Sequence, residues 1–502
     1  MKRRDAIGWV IGALAAVAIV VALLRLEAPY AGLIKTNIDL EGTPVSILAP
    51  DGDEPAPAVV IAHGFAGSRQ LMEPFAVTLA RNGYVAVSFD FRGHGRNRLP
   101  LVGDVTTEDG ATAALLEELR RVIAYARFLP WATGEVAILG HSMASDIIVR
   151  ASVTDPEIAA TVAVSMFTRE VTAKAPKNLL VIVGEYEGFL ATEALKAVAL
   201  SAQTDAFEGV TYGSFDDGSA RRAVLADGTE HVTVLFSQEA LTEAVGWLDQ
   251  VFGRTSTGAI DARGIWFGLL MAGVIALIWV GTRRLPRFEP RAQALSNRRF
   301  LALCIVPAII TPLVLWPLPT GFLPVLVADY LAVHFALFGA LTCAGLLAFR
   351  AVHVAVPTAR FVLTVLAASA VAIFAIAVPI DAYIASFMPG PDRIGLIAVL
   401  AVGTLSYTCS DEILTGRPGA RWWWYPVSKL SILASLAIAV ALDLESLFFL
   451  IIILPVIVLF FILYGLFSRW MFRATQAPMV PGIALGLAFA WALGVTFPLL
   501  QS

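Results

Sequence analysis

Apolar residues follow two different rhythms along the chain. In the first, short unbroken runs recur: AVVIAH (58–63), YVAVSFD (84–90), EVAILG (135–140), ATVAVS (160–165) and NLLVIVG (178–184). They lack the apolar–polar alternation of a strand with one wet face, so they predict buried parallel strands. A further strand is expected over 221–226. Between them MEPFAVTLARNG, TAALLEELRRVIAYARFL, SDIIVRASV and EALKAVALSA carry helical spacing, and Gly83 closes the first of these. Strands alternating with helices predict an α/β class: a doubly wound, mostly parallel sheet covered on both faces. DGDEPAPA (51–58) reads as a turn between strands rather than a linker between domains.

The second rhythm is longer. A bilayer core of about 30 Å needs roughly 20 mostly apolar residues as a helix. Such runs fall at 6–24, 264–281, 300–317, 323–348, 361–380, 394–410, 426–442, 447–467 and 479–499. The first follows Lys2, Arg3 and Arg4 and leaves through Arg25 and Glu27, with no small-x-small exit. We expect an uncleaved anchor there rather than a signal peptide. The division is then an anchor over 1–26, an α/β domain over 27–263, and an all-α polytopic transmembrane bundle of about eight helices over 264–502.

Charge supports this division. The chain is 58% hydrophobic and 15% charged, where ordinary soluble proteins carry about 25% charge. Residues 27–263 hold 31 acidic and 18 basic side chains, while the remainder holds 9 acidic and 18 basic. Cytoplasmic loops of membrane proteins are enriched in Lys and Arg. With the N-terminus inside, Arg283, Arg284, Arg287, Arg291, Arg298 and Arg299 fall in one inner loop. Arg350 and Arg360, Arg417 and Arg421, then Arg469 and Arg473 fall in the next three, and Lys429 is counted with them. The same topology puts 27–263 outside the cytoplasm and the end of the chain, Gln501–Ser502, outside as well. A multi-pass cell-membrane protein is therefore expected. No basic stripe fits nucleic acid. Cys304, Cys343 and Cys409 all lie in apolar runs, so 27–263 has no disulfide framework and no cysteine metal site. Neither a metal nor a cofactor is expected. Arg outnumbers Lys 30 to 6, a balance read as bacterial.

Sites in such folds form at the carboxyl ends of strands. There, EVAILG runs into Gly140-His141-Ser142-Met143-Ala144 and a helix. A strand, a tight turn and a helix with serine at the apex lift the hydroxyl clear of the sheet. Gly140 fits the G-x-S-x-G pattern, and Ala144 departs from it by one methyl group. Taken alone, Ser142 reads equally well as a helix cap. Its surroundings decide otherwise. His63-Gly64-Phe65 ends another strand, so the N–H groups of Phe65 and Met143 can share one oxyanion. His63 is expected to order that loop rather than to act as a base. The strand ending at Gly184 offers Glu185 and Glu187 as the carboxylate, with Glu187 favoured by its offset and Asp216 and Asp217 as outside candidates. Order along the chain then makes His231 the base.

The block HGFAGSRQLMEPFAVTLARNGYVAVSFDFRGHGRN together with GHSMA resembles the α/β-hydrolases, in their serine-aminopeptidase S33 and monoacylglycerol-lipase-like branch. The resemblance covers about residues 44–252 and implies an eight-stranded sheet and a Ser–carboxylate–His triad. Few residues separate the sixth strand from the acid-bearing one, so the lid found in many relatives is expected to be absent or minimal. The expected activity is a membrane-bound serine hydrolase acting on an acyl ester, lipid or amphiphilic in preference to a small soluble one. The alternatives are a transporter or lipid-handling protein with an accessory hydrolase-fold domain, and a non-catalytic binding module. Among charged and polar residues of the bundle, His334 is expected to be hydrogen-bonded internally. Asp381, Asp411, Glu412 and Asp443 are expected to be solvated near span ends, and Trp422, Trp423, Trp424 and Tyr425 to form an interfacial belt.

Overall fold

A computed structural model describes residues 3–52, 54–104, 108–202, 204–289, 293–352, 357–417 and 419–501. Lys2, Asp53, Arg291 and Ser502, named above, lie outside the described residues. Helix α1 (Arg3–Glu27) leads into an α/β unit. Its strands are β1 (Leu33–Leu40), β2 (Thr43–Pro50), β3 (Ala56–Ala62), β4 (Val85–Phe89), β5 (Ala132–His141), β6 (Ile158–Val164), β7 (Leu179–Gly184) and β8 (Arg221–Ala226). The helices between and after them are α2 (Glu73–Arg81), α3 (Ala113–Arg127), α4 (Met143–Thr154), α5 (Gly188–Ala202) and α6 (Gln238–Phe252).

The strands form one eight-stranded sheet in the order β1-β2-β4-β3-β5-β6-β7-β8. Strands β3 to β8 run parallel, and β1 and β2 add antiparallel at one edge. All six strands expected from the apolar runs are present. Strand β3 starts at Ala56, so the turn before it is shorter than 51–58. The strand interiors are buried because alternate side chains enter two cores. Val60, Val87, Ile138, Ala163 and Val181 pack toward α3, α4 and α5. Val59, Ile61, Ala137, Leu139 and Ile182 pack toward α2 and α6. The segment 165–178, between β6 and β7, holds turns and bends and no helix.

The rest of the chain is helical: α7 (Arg263–Thr282), α8 (Asn297–Leu315), α9 (Ala328–Ala348), α10 (Ala359–Tyr383), α11 (Pro391–Thr415), α12 (Trp424–Leu442), α13 (Leu444–Leu447), α14 (Phe449–Thr475) and α15 (Met479–Thr496). With α1, nine helices among the described residues are long and apolar enough to cross a membrane. Each coincides with one expected span. Close packing in the bundle uses small residues. A Cβ on Gly339 would meet the Ser406 backbone at 2.3 Å, and one on Gly403 would meet the Ala332 carbonyl at 2.1 Å.

Three expectations within the bundle are corrected. Asp411 and Glu412 are not solvated, because α11 continues past them to Thr415 and both are buried. Lys429 does not belong with the loop charges. It lies inside α12, 2.5 Å from the Asp411 carboxylate, and Asp411 also accepts from Ser428. Glu412 accepts from Ser468 at 2.5 Å. A charge inside a bundle is tolerable only with partners of this kind. Trp424 is no belt residue either, being buried and stacked on Phe300 with ring centroids 4.3 Å apart, whereas Trp422 is 81% exposed. His334 is hydrogen-bonded inside the bundle, to Tyr330 and Ser435.

The α/β unit is fastened to the bundle along the edge where its parallel strands end. Lys35 and the Tyr30 hydroxyl both donate to Glu73 at the start of α2. Arg263, at the start of α7, pairs with Asp261 at 2.5 Å and reaches the Tyr30 hydroxyl. Arg96 pairs with Asp381 at 2.7 Å. After α15 the chain lies alongside the loop that follows β4: Leu499 N–H donates to the Gly93 carbonyl and Leu101 N–H to the Leu499 carbonyl.

Candidate active site

Strand β5 passes into α4 through Ser142, whose φ of 55° and ψ of −118° no ordinary strand or helix residue adopts. Such backbone costs about 1–3 kcal/mol and persists only where its surroundings impose it. Here strand and helix crowd the turn. A Cβ on Gly140 would sit 3.0 Å from the Ala144 carbonyl and from the Ile148 side chain. Ala144 itself is fully buried, so its methyl group is accommodated on the core side. The turn leaves the Ser142 hydroxyl at the carboxyl edge of the sheet, half-buried.

Ser142, His231 and Glu187 come together there. Ser142 Oγ lies 2.8 Å from His231 Nε2, and His231 Nδ1 lies 2.5 Å from Glu187 Oε1. With Nδ1–H donating to the carboxylate, Nε2 is left as the acceptor of the serine proton. Glu187 is 7% exposed and His231 43%. The other carboxylate oxygen of Glu187 accepts from Ser165 Oγ at 2.7 Å and from Gly184 N–H at 2.8 Å. Burial pushes the Glu187 pKa up, but the hydrogen bonds from His231, Ser165 and Gly184 outweigh it, so the group lies below its ordinary value. Glu185 points elsewhere and accepts from Gly228 N–H. Asp216 and Asp217 are exposed, Asp217 in a turn closed by Ser219 N–H.

Phe65 and Met143 are close neighbours of Ser142 along the loop after β3 and at the start of α4. A Cβ on Gly64 would meet Ser142 Cβ and the His141 carbonyl at 3.0 Å, so the loop after β3 lies directly against the serine. Among the described residues no protein acceptor takes up the N–H of Phe65 or of Met143. His63 orders this loop: Nδ1–H donates to the Gly64 carbonyl and Nε2 accepts from Phe91 N–H. Two residues unmarked by the sequence reading also serve the site. Ser165 orients Glu187, and its only signal was its place at the end of β6. His141 Nε2 lies 2.8 Å from the His231 carbonyl and fixes the backbone of that histidine. Burial pushes its pKa down to about 3, so the ring is a neutral donor.

Residues 53–196 match the family model described as serine aminopeptidase, S33. The N-terminal unit has the mostly parallel eight-stranded α/β fold expected of an α/β-hydrolase. A 97-residue stretch is 31% identical to an uncharacterized 31.7 kDa protein of Escherichia coli from the traX-finO intergenic region, covering 18% of this chain and 34% of that protein. The chain thus spans about a third of the length of that curated relative. Among solved structures, a CIB-like hydrolase of Thermoplasma acidophilum is 17% identical over 43% of this chain and 97% of its own, with a TM-score of 0.33. A membrane phospholipase A described as a bacterial virulence factor is 14% identical over 50% of this chain and 99% of its own, with a TM-score of 0.32. The matched segment carries Ser142 and Glu187, and His231 lies beyond it.

Proposed function

We propose that this protein is a membrane-bound serine hydrolase that cleaves an acyl ester through an acyl-enzyme. The observation that carries the reading is the unbroken hydrogen-bonded line from Ser142 Oγ through His231 to Glu187. His231 Nε2 takes the serine proton as Oγ attacks the ester carbonyl carbon. The negative oxygen of the tetrahedral intermediate is held by the N–H groups of Phe65 and Met143. His231 then protonates the leaving alcohol as the C–O bond breaks. Water, deprotonated by the same nitrogen, attacks the acyl-enzyme and releases the acid. Glu187 keeps Nδ1 protonated and stabilises the imidazolium.

A lipid or amphiphilic ester suits the surroundings of the triad. Phe167 follows the carboxyl end of β6, Tyr186 and Phe189 follow that of β7, Val232 follows His231, and all four are exposed. Among the described residues no helix is inserted between β6 and β7, and the same sheet edge is fastened to the bundle. Residues 1–26 serve as anchor, 27–263 as extracytoplasmic hydrolase domain and 264–502 as membrane domain, with the arginine-rich loops facing the cytoplasm. The buried Asp411–Lys429 pair is the observation that favours a transport role for the bundle. Its charges compensate each other, so we place catalysis first.

The test is turnover of a graded series of acyl esters by the full-length protein in detergent. Activity should fall by about three orders of magnitude or more in Ser142→Ala and His231→Ala, as expected when members of one catalytic unit are removed. Folded wild-type protein with no turnover above those variants would overturn the reading and promote a binding role.

A further inference from the structure

An oxyanion hole works only if its donors are held in place before the charge develops. Met143 N–H is fixed by the start of α4. Phe65 N–H lies on a loop, and part of what holds that loop comes from the membrane bundle. The Phe65 ring packs against two others: His94 meets it edge-on at 5.8 Å, and Phe449, the first residue of α14, lies tilted by 35° against it at 5.0 Å. Further along the same loop, Ser386 N–H donates to Ser68 Oγ at 3.0 Å, and Gln70 reaches Ser386 Oγ at 3.3 Å.

His94 is itself held from the bundle. Its turn carries Gly93, whose carbonyl accepts from Arg393 Nη2 at 2.9 Å and from Leu499 N–H at 2.9 Å. Arg393 is buried in α11, and its other guanidinium nitrogen donates to the Gly494 and Phe497 carbonyls at the end of α15. Both neighbours of the Phe65 ring are therefore set by the bundle, Phe449 directly and His94 through Gly93.

We propose that Phe449 is a positioning residue for the Phe65 oxyanion donor, so that the membrane bundle completes the hydrolase site and sets its turnover. This rests on the reading of Phe65 N–H as that donor. Phe449 touches the donor's side chain rather than the reacting atoms. Its loss should therefore weaken stabilisation of the transition state and leave binding of a short ester unchanged.

The experiment compares Phe449→Ala and Phe449→Leu with wild type, full-length in detergent, on a short water-soluble acyl ester. Phe449→Ala should lower kcat about tenfold, a fraction of the cost of losing an oxyanion donor outright. KM and the melting temperature should hold, and Phe449→Leu should recover most of the rate. Phe65→Ala keeps the backbone donor and removes the ring. It should reproduce the loss, and combining it with Phe449→Ala should add nothing further, as for two residues acting through one contact. It also reads the same contact should Phe449→Ala fail to fold. An unchanged kcat in both single variants, or a raised KM at unchanged kcat, overturns the proposal while leaving the hydrolase reading intact. Wild-type protein no faster than Ser142→Ala overturns both.

Discussion

Ser142 illustrates at the scale of one residue how the chain commits stability to the site. Its strained backbone is tolerated because Gly140 and Gly64 let neighbouring backbone approach where a side chain would not fit. The buried histidines are a second commitment. His63, His94 and His141 are enclosed, and burial pushes their pKa values down to about 4, about 3 and about 3. An unfolded histidine takes up its proton near pH 6.5, about the ordinary value. Below that pH the unfolded chain binds protons that the folded domain does not, so stability falls with pH until the folded values are reached. Each group contributes a slope of up to about 1.4 kcal/mol per pH unit in that window. Glu187, depressed in the folded state, adds a loss of the same sign only lower, as pH falls through the unfolded carboxylate range. The melting temperature of the hydrolase domain within the intact chain should therefore drop steadily between about pH 6.5 and pH 4.5. A flat profile there would mean that the histidines are protonated in place.

At the scale of elements, the site is a meeting of strand ends. Ser142 follows β5, Ser165 follows β6, Glu187 follows β7 and the Phe65 loop follows β3. The spacing between the last of these and Ser142 is set by Gly64, where an added Cβ would come within 3.0 Å of Ser142 Cβ and the His141 carbonyl. Gly64→Ala should cost about a hundredfold in kcat by displacing the oxyanion donor, with little change in melting temperature. A rate within twofold of wild type would show that the loop can retreat without consequence. The six parallel strands were legible, five of them as the plain apolar runs of strands buried on both faces and β8 although it opens on Arg221 and Arg222. The β1–β2 hairpin was not. Strand β1 lies at the sheet edge with alternating exposure and carries Lys35, Thr36, Asn37 and Asp39, and β2 is bounded by Pro44 and Pro50. Neither shows the unbroken apolar signature that marked those five.

For the whole molecule, apolar length located the nine described helices that could cross a membrane, because the bilayer imposes one physical scale on any such helix. It did not locate the charges correctly. Asp411 and Glu412 sit near an apparent span end, yet α11 continues past them and Lys429 approaches from another helix. That pairing is a long-range contact with no trace in local composition. The same holds for the attachment of the α/β unit to the bundle through Arg96–Asp381, Arg393–Gly93 and the strap at Leu499. The meeting of Ser142, Glu187 and His231 was more legible, since strand-end serine, carboxylate and histidine follow in a fixed order. What order could not show is that Ser165 and Gly184 share the Glu187 carboxylate with His231.

The central claim is that Ser142 is an activated nucleophile in the intact membrane protein. It is tested most directly by treating the full-length chain in detergent with a fluorophosphonate and locating the adduct by peptide mass spectrometry. A single adduct on Ser142, abolished by Ser142→Ala and strongly slowed by His231→Ala, is the predicted result. Folded protein that carries no adduct, or carries it on another residue, would contradict the account.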